Sequence, residues 1–216
     1  MRLLAERKCV VSHNPVSNLR LGAGIADTLA MRRLGCRVGI GVDGHGSGVE
    51  CQDMLGTAKL ACLLPNVRTP EYRSWLRPRD VLLEMACSCG RAAVGLDRGA
   101  VGGDPVGVGA VADLCLYDLT AFSLLPRADP FTSLLLSGGR PSAGGPQLKC
   151  AWVGGDLVVS GGRPTRADLP TVRREILRIT PSFYPPVDIL PAEGERSNRF
   201  EVEYRAGLGL PLDRAR

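Results

Sequence analysis

The order of apolar and polar residues near the start of the chain predicts two strands separated by a helix. An apolar run at residues 9–11 leads into a polar cluster, and a second run at 38–42 leads into a glycine-rich stretch. Residues 25–34 have a helical pattern, and Gly35 follows where a helix would end. This order is typical of a parallel α/β sheet, in which functional residues lie beyond the carboxyl ends of the strands. Four polar residues are therefore expected at one edge: His13, Asn14, Asp43 and His45.

The remaining pattern predicts mostly helices up to residue 93 and mostly strands after it. In the first part we expect a helical end at 1–8, a strand at 9–13, a loop at 14–24, a helix at 25–34, a strand at 37–43 and a loop at 44–48. A helix at 52–64 should end at Pro65, and a second at 79–93 should begin after Pro78. Between them, 66–77 should be a loop or a short helical segment. The later part predicts a strand at 112–119, a hairpin at 148–160 around a Gly-Gly turn, and a helix at 168–179.

Changes in composition predict three parts. Residues 1–98 are expected to form an α/β domain and residues 99–179, which begin with a glycine-rich stretch, a small β domain with a closing helix. Residues 180–216 are rich in proline and charge and predict a mostly disordered tail.

Composition excludes several classes of function. The 216 residues are 44% hydrophobic without an apolar run of membrane-spanning length, and the charged start does not resemble a signal peptide, so a cytoplasmic protein without a membrane partner is expected. The eight cysteines are then predicted to be free thiols. The net charge of +5 comes mostly from scattered arginines, and aromatic residues make up only 5%, which favours a solvated surface over nucleic-acid binding.

Three motifs in order carry a resemblance to a known family. They are His13-Asn14-Pro15-Val16-Ser17-Asn18, Leu21-Gly22-Ala23-Gly24-Ile25-Ala26 and Gly41-Val42-Asp43-Gly44. They resemble the last two barrel strands of the amidohydrolase superfamily, in particular its heterocycle deaminases and dechlorinases: guanine and 8-oxoguanine deaminases, S-adenosylhomocysteine deaminases and triazine hydrolases. The resemblance covers residues 1–179. It implies an α/β fold: the C-terminal part of a metal-dependent TIM-like barrel plus part of a small β-sandwich.

The resemblance also implies a chemistry. In that family a zinc or iron ion activates a water, which attacks a ring carbon and displaces ammonia, an amine or chloride. By resemblance Asp43 takes the place of a metal ligand and catalytic carboxylate. The residues that would line a small heterocyclic amine substrate are His13, Asn14, Ser17 and Asn18.

The sequence supplies few of the expected metal ligands. It contains two histidines, His13 and His45, and they cannot form the family's His-x-His motif. Since a catalytic zinc uses about three protein ligands, the chain is expected to be inactive alone and to need a missing N-terminal half of the barrel. The alternative is a non-catalytic, truncated or partner-dependent half-barrel. An uncovered barrel edge predicts pairing with that half or with a second copy of the chain.

Three further interpretations of the motifs are weaker. The Gly39, Gly41 and Gly44 spacing matches a dinucleotide-binding motif, but it straddles a strand and opens no helix. Ser12 and His13 are adjacent on a strand, so they point to opposite faces and cannot act together in a triad with Asp43. Cys87 and Cys89 lie on a helical stripe and lack the spacing of a metal or redox motif, which favours core packing.

Overall fold

The computed structural model describes residues 1–44, 52–69, 76–96, 106–125, 129–137 and 147–183. The chain divides into two compact units, Met1–Thr165 and Arg166–Arg216. Trp75, His45 and the predicted tail from residue 184 onward lie outside the described residues.

The predicted helices and strands are found in the expected order, and the structure adds two helices, Pro15–Arg20 and Pro130–Ser137, and a short strand, Arg163–Pro164. The helices are α1 Arg2–Glu6, α2 Pro15–Arg20, α3 Thr28–Arg33, α4 Met54–Arg68, α5 78–93, α6 Pro130–Ser137 and α7 Leu169–Phe183. Helix α5 has three consecutive parts: Pro78–Asp80, a π-helical segment Val81–Ser88, and Cys89–Ala93. A short 3₁₀ helix covers Phe122–Leu124. The strands are β1 Val10–His13, β2 Arg37–Ile40, β3 Leu114–Asp118, β4 Gln147–Val153, β5 Asp156–Ser160 and β6 Arg163–Pro164.

β1 and β2 form the predicted parallel pair. Val10 pairs with Arg37 and His13 with Ile40. Between them, α3 begins at Thr28 rather than at residue 25, because the Asp27 side chain caps it by accepting a hydrogen bond from the Ala30 N–H at 3.0 Å. The second strand ends three residues earlier than predicted.

The prediction of a loop at 14–24 was wrong for its first half, where the chain forms α2. Pro15 occupies the first helical turn, where its fixed φ fits a helix and its missing N–H costs nothing. The Leu21 N–H closes the last turn on the Ser17 carbonyl at 2.9 Å. This helix brings Ser17 back towards the sheet edge.

The prediction that Pro65 ends a helix was also wrong. α4 continues to Arg68, and the Thr69 N–H donates to the Pro65 carbonyl at 2.9 Å. A proline inside a helix costs about 3 kcal/mol. Pro65 is buried together with Ala58, Ala61 and Cys62 of the same helix, and this packing offsets the lost hydrogen bond.

α5 packs directly on β2, as its predicted apolar stripe indicated. Val81, Met85 and Cys89 are buried on this stripe. Gly39 of β2 permits a close approach: a Cβ atom at this position would lie 3.5 Å from the Cys89 Cβ and 3.6 Å from the Met85 carbonyl oxygen.

The main core lies between β2 and the helices of the first unit. Its buried residues come from β2, α4, α5, α6 and the segments beside them: Cys36, Val38, Ile40, Ala58, Ala61, Cys62, Leu76, Val81, Met85 and Leu135. The Lys59 ammonium adds a polar link by donating to the Leu136 carbonyl at 2.6 Å.

The remaining strands form an antiparallel sheet in the order β3-β4-β5-β6. The predicted hairpin is confirmed: β4 and β5 are joined by Gly154 and Gly155, whose φ angles of +57° and +87° suit a type I′ turn. Within the described residues, the strands make this sheet and the parallel pair rather than a closed barrel.

The second unit contains α7, which begins one residue before Pro170 and continues to Phe183. It therefore begins one residue later and ends four residues later than predicted. None of the described helices is long and apolar enough to cross a membrane.

Candidate functional site

Asp43 lies just beyond the carboxyl end of β2, at the edge where the sequence predicted a site. The pairing of β1 with β2 continues past the strand end, since the Gly41 N–H donates to the His13 carbonyl at 3.0 Å. Asp43 itself has a φ of +65°, in the left-handed region that few residues other than glycine adopt. This conformation turns the chain into Gly44, beyond the end of β2 at Ile40. Non-glycine residues of this kind are often found at functional sites.

Two donors hold the Asp43 carboxylate in place. The Ser17 hydroxyl donates to Oδ2 at 2.6 Å, and the Gly44 N–H donates to Oδ1 at 2.6 Å. Ser17 is 3% exposed, whereas Asp43 is exposed to solvent. The buried hydroxyl of α2 thus fixes an accessible carboxylate of the neighbouring strand end.

Sequence reasoning placed Ser17 at the substrate but missed this contact with Asp43. The signal was the Pro15-x-Ser17 spacing: a proline at the first helical position starts α2, and a residue two positions later can face back to the strand end. Without the helix, Ser17 could be assigned only by family resemblance.

His13 is buried at the end of β1, beside the segment that carries Asp43. It is 4% exposed, and its Nδ1 atom has no hydrogen-bond partner among the described residues. Burial lowers the pKa of the His13 imidazole below its ordinary value of 6.5, because the charged form loses hydration. His13 is therefore neutral at physiological pH and has a ring nitrogen available to a ligand.

Asn14 packs along the strand ends. Its Oδ1 accepts a hydrogen bond from the Ser12 hydroxyl at 3.0 Å. Both side chains lie over Gly41, where a Cβ atom would collide with Asn14 Oδ1 and would approach Ser12 Oγ to 2.7 Å. A glycine at position 41 is thus required for the two polar side chains to pack over the end of β2.

The other predicted site residues are less closely tied to Asp43. Asn18 is half-buried on α2, and its carbonyl accepts a hydrogen bond from Ala23 N–H at 2.9 Å. Asp53, further along the chain, caps α4 by accepting from the Gly56 N–H at 2.9 Å, which is a structural role. The prediction for His45 lies outside the described residues.

The described residues do not fit a complete metal centre. Among them, no group of three or more His, Cys, Asp or Glu side chains is close enough to hold one ion. Asp43 does fit a single ligand, since it is an accessible carboxylate oriented by a second hydrogen-bonding group, as metal ligands commonly are. A catalytic zinc needs about three protein ligands, so the described residues supply only part of the ligand set.

Comparisons with known proteins agree with the resemblance in the motifs. The chain is 33% identical over 181 residues to a 5-methylthioadenosine/S-adenosylhomocysteine deaminase of Desulforudis audaxviator, which covers 82% of this chain and 39% of that protein. It is 31% identical over 168 residues to a 5'-deoxyadenosine deaminase of Methanopyrus kandleri, covering 78% and 36% of the two proteins.

Solved structures give the same picture. A zinc-bound adenosine deaminase from Xanthomonas campestris matches with a TM-score of 0.71 and 25% identity, covering 82% of this chain and 38% of that one. An atrazine chlorohydrolase variant from Arthrobacter aurescens, complexed with zinc and atraton, matches with a TM-score of 0.70 and 25% identity, covering 83% and 38%. Both neighbours hold zinc.

The predicted resemblance to deaminases and triazine hydrolases is confirmed. The family implies a metal-dependent, TIM-barrel-like fold, although the described strands of this chain do not close a barrel. The chain spans less than two fifths of the length of the two deaminases it matches. The model of the amidohydrolase family matches residues 1–155, and the chain therefore belongs to that family.

Proposed function

We propose that this chain forms the Asp43-bearing part of a metal-dependent hydrolase that removes an amino group from a purine-type ring. The observation that carries the proposal is the Asp43 carboxylate, held at the carboxyl end of β2 by the buried Ser17 hydroxyl at 2.6 Å. The names of the relatives support adenosine derivatives as the substrate class. A triazine or pyrimidine ring is the alternative within the same reaction type.

Asp43 is proposed as the metal ligand that this chain contributes. The carboxylate accepts hydrogen bonds from Ser17 and from Gly44, which orient it, and a carboxylate oxygen is one of the ligands that zinc takes in proteins. The zinc of the solved relatives supports zinc over iron. In a completed site the ion would supply an activated water.

The neutral His13 and the polar side chains of α2 are proposed to face the substrate. The Nδ1 atom of His13 has no partner among the described residues, so it would gain a hydrogen bond when a ring nitrogen or amino group of the substrate approaches it. Asn14 and Asn18 would offer further donors and acceptors at the same edge. Ser17 then acts on the substrate indirectly, by orienting Asp43.

The other metal ligands are proposed to come from a segment that corresponds to the N-terminal half of the relatives. The sequence contains two histidines in all, and no described cluster gathers three ligands. The competing hypothesis is a non-catalytic half-barrel, which would have the same fold but would not be completed by the missing metal ligands.

A chimera tests the proposal. Residues 1–179 of this chain would replace the matching segment of the Desulforudis audaxviator deaminase, and zinc content and ammonia release from adenosine derivatives would be measured. We expect about one zinc per chain and detectable deamination. Asp43→Asn should reduce activity by roughly a hundredfold or more, since it removes a ligand charge. Asp168→Asn, an exposed aspartate of the second unit, is the matched control and should leave activity unchanged.

The outcomes separate the hypotheses. A folded chimera that binds no zinc, or one in which Asp43→Asn is as active as the parent, would contradict the assignment of Asp43. Zinc binding with activity only on triazines would retain the site and change the substrate class. Tight zinc binding by the isolated chain would contradict the need for a complementing segment.

A further inference from the structure

Helix α7 carries an apolar stripe that is exposed to solvent. Its residues recur at spacings of three and four positions, so they share one side of the helix. The stripe consists of Leu169, Val172, Ile176 and Ile179. The exposed fractions of these four side chains lie between 42% and 53%. Three arginines and one glutamate occupy other positions of the helix, so α7 is amphipathic with its apolar side in water.

An amphipathic helix of this length is expected to pack against something. α7 has 15 residues, and isolated helices shorter than about 12–15 residues are marginal in water, because most helical stability comes from packing of the apolar side. The polar contacts within α7 are local and exposed. Arg178 donates to the Glu175 carboxylate at 2.9 Å, and Arg174 donates to the Thr171 hydroxyl at 2.8 Å. Exposed contacts of this kind contribute little, so cover over the stripe would add most of the stability.

The match to a longer protein indicates where this cover comes from. The Desulforudis audaxviator deaminase matches 82% of the 216 residues, about 177 of them, and any stretch of that length includes positions 40–177. Leu169, Val172 and Ile176 therefore lie within the matched part. The match takes up 39% of that deaminase, so most of its chain has no counterpart here. The stripe thus belongs to a part of the chain that is surrounded by additional protein in the relative.

Two other occupants fit the stripe less well. A second copy would meet a helix about 22 Å long with four apolar residues, whereas specific protein interfaces use about 20–30 residues from each partner. An anionic membrane would meet a helix with three arginines and one glutamate, in which Arg178 already pairs with Glu175. Helices that bind such surfaces are rich in basic residues on the polar face.

We propose that the stripe of α7 is a docking surface for the complementing segment that corresponds to the unmatched part of the relatives. This inference rests on the proposed function, in which the same segment brings the missing metal ligands. The stripe predicts an apolar surface on that segment. Arg173, four residues after Leu169, borders the stripe and predicts a carboxylate beside the apolar surface. Docking would then give α7 the packing that the isolated chain does not provide.

The test compares the isolated full chain with the chimera described above. Val172→Cys places a thiol on the stripe, and Arg174→Cys places one two residues later, on the opposite side of the helix. Each protein is treated with iodoacetamide, and peptide mass mapping gives the alkylation rate at the new position alone. We expect position 172 to react at least about tenfold more slowly in the chimera than in the isolated chain, because a covered thiol reacts only after local opening. Position 174 should react at similar rates in both proteins.

The other occupants give different results. Slow reaction at position 172 in the isolated chain at every protein concentration would mean that the chain covers its own stripe. Slowing that appears only at high concentration would mean a second copy. Protection of the isolated chain by vesicles of equal parts phosphatidylserine and phosphatidylcholine would mean a membrane surface. Any of these results, or equal rates in the chain and the chimera, would overturn the proposal.

Zinc content and ammonia release of the same chimera test the proposed function separately. A chimera that protects position 172 but binds no zinc would support the docking surface and contradict the function, and zinc binding with an unprotected position would do the reverse. If circular dichroism and urea unfolding show that the chimera does not fold, the thiol is placed at the position matching Val172 in the intact Desulforudis audaxviator deaminase. Slow alkylation there is expected, and a rate equal to that of the isolated chain would overturn the proposal.

Discussion

The parallel pair and the antiparallel sheet of the first unit are built in opposite ways. In β2, Val38 is completely buried and Ile40 is 8% exposed, because the strand is enclosed by helices. In the sheet, Leu116 is 53% exposed and Leu157 is 41% exposed. The first region is stabilised by packing between side chains that are distant in sequence. The second is stabilised by pairing between strands adjacent in the sheet and by a glycine turn.

The comparison shows why the candidate site lies where it does. Asp43 adopts a left-handed conformation, which costs about 1–2 kcal/mol. Such a residue needs surroundings that fix it, and the buried strand and the Ser17 hydroxyl provide them. The antiparallel sheet is regular, but its side chains are less buried, so it offers less packing to stabilise a residue in a strained conformation.

The largest expected effect comes from truncating the helical core. Leu135→Ala removes a completely buried side chain and should lower the free energy of unfolding by about 2–5 kcal/mol. Leu116→Ala, the same change on the exposed face of β3, should cost less than about 1 kcal/mol. Urea unfolding of both variants measures the difference. Equal losses would remove the distinction between the two regions.

A glycine pair tests the packing over the end of β2. Gly41→Ala places a methyl group against Asn14 and Ser12 and should destabilise the chain by about 1–3 kcal/mol. Gly90→Ala, in α5 and without a neighbour within 4 Å, should instead stabilise it by about 0.5–1 kcal/mol. Thermal unfolding of the two variants gives the signs. A neutral Gly41→Ala would mean that Asn14 and Ser12 can move aside freely.

The hydrogen bond between Ser17 and Asp43 should appear as a coupling energy. In a double-mutant cycle of Ser17→Ala and Asp43→Asn, we expect about 1 kcal/mol of interaction, near the lower end for a charged acceptor because Asp43 is exposed to solvent. Denaturant unfolding of the parent, the single variants and the double variant supplies the four values. Strictly additive losses would show that Ser17 does not support the carboxylate.

The smallest effects concern pH: in both regions stability is lost as the pH falls, but over different pH windows. The pKa of His13 is lowered in the folded chain, so its contribution is complete above pH 6.5 and declines as the pH falls below that value. The pKa of Asp118 in β3 is lowered to about 2, first by the Thr120 hydroxyl, so its contribution is complete above 3.8 and disappears as the pH falls through about 2.

Unfolding curves measured across these two windows separate the groups. His13→Gln should remove the dependence just below neutrality and leave the acid limb unchanged. Asp118→Asn should do the reverse. If the His13 variant kept the slope below pH 6.5, another group would be responsible for it.

Much of the fold was predictable because local patterns and tertiary packing agree. The alternation around β1 and β2, the apolar stripe of α5 and the Gly154-Gly155 turn each predict the element that is observed. The ordered motifs predicted the family, and the family model confirms it. The partition into domains and the role of each site residue stay predictions.

The other features of the fold could not be predicted from the sequence, because they depend on tertiary contacts that the local pattern of apolar and polar residues does not reveal. Pro65 normally ends a helix, but its burial in the core allows α4 to continue. The loop predicted after His13 becomes α2 because Pro15 starts a helix there. The bond between Ser17 and Asp43 joins residues 26 positions apart, so only the assembled fold reveals it.

The π-helical segment of α5 has a consequence for how the chain tolerates insertions and deletions. Val81, Met85 and Cys89 recur every four residues, a spacing that drifts around an ordinary helix of 3.6 residues per turn. The wider π turns correct this phase and keep all three side chains in line over β2. Deleting one residue between 81 and 88 would let this segment become an ordinary α-helix, in which seven residues turn by about 700°, close to the two full turns that now separate Val81 from Cys89. Cys89 would therefore stay over Gly39 after such a deletion, whereas a deletion within the regular helix α4 would rotate the residues after it by about 100°.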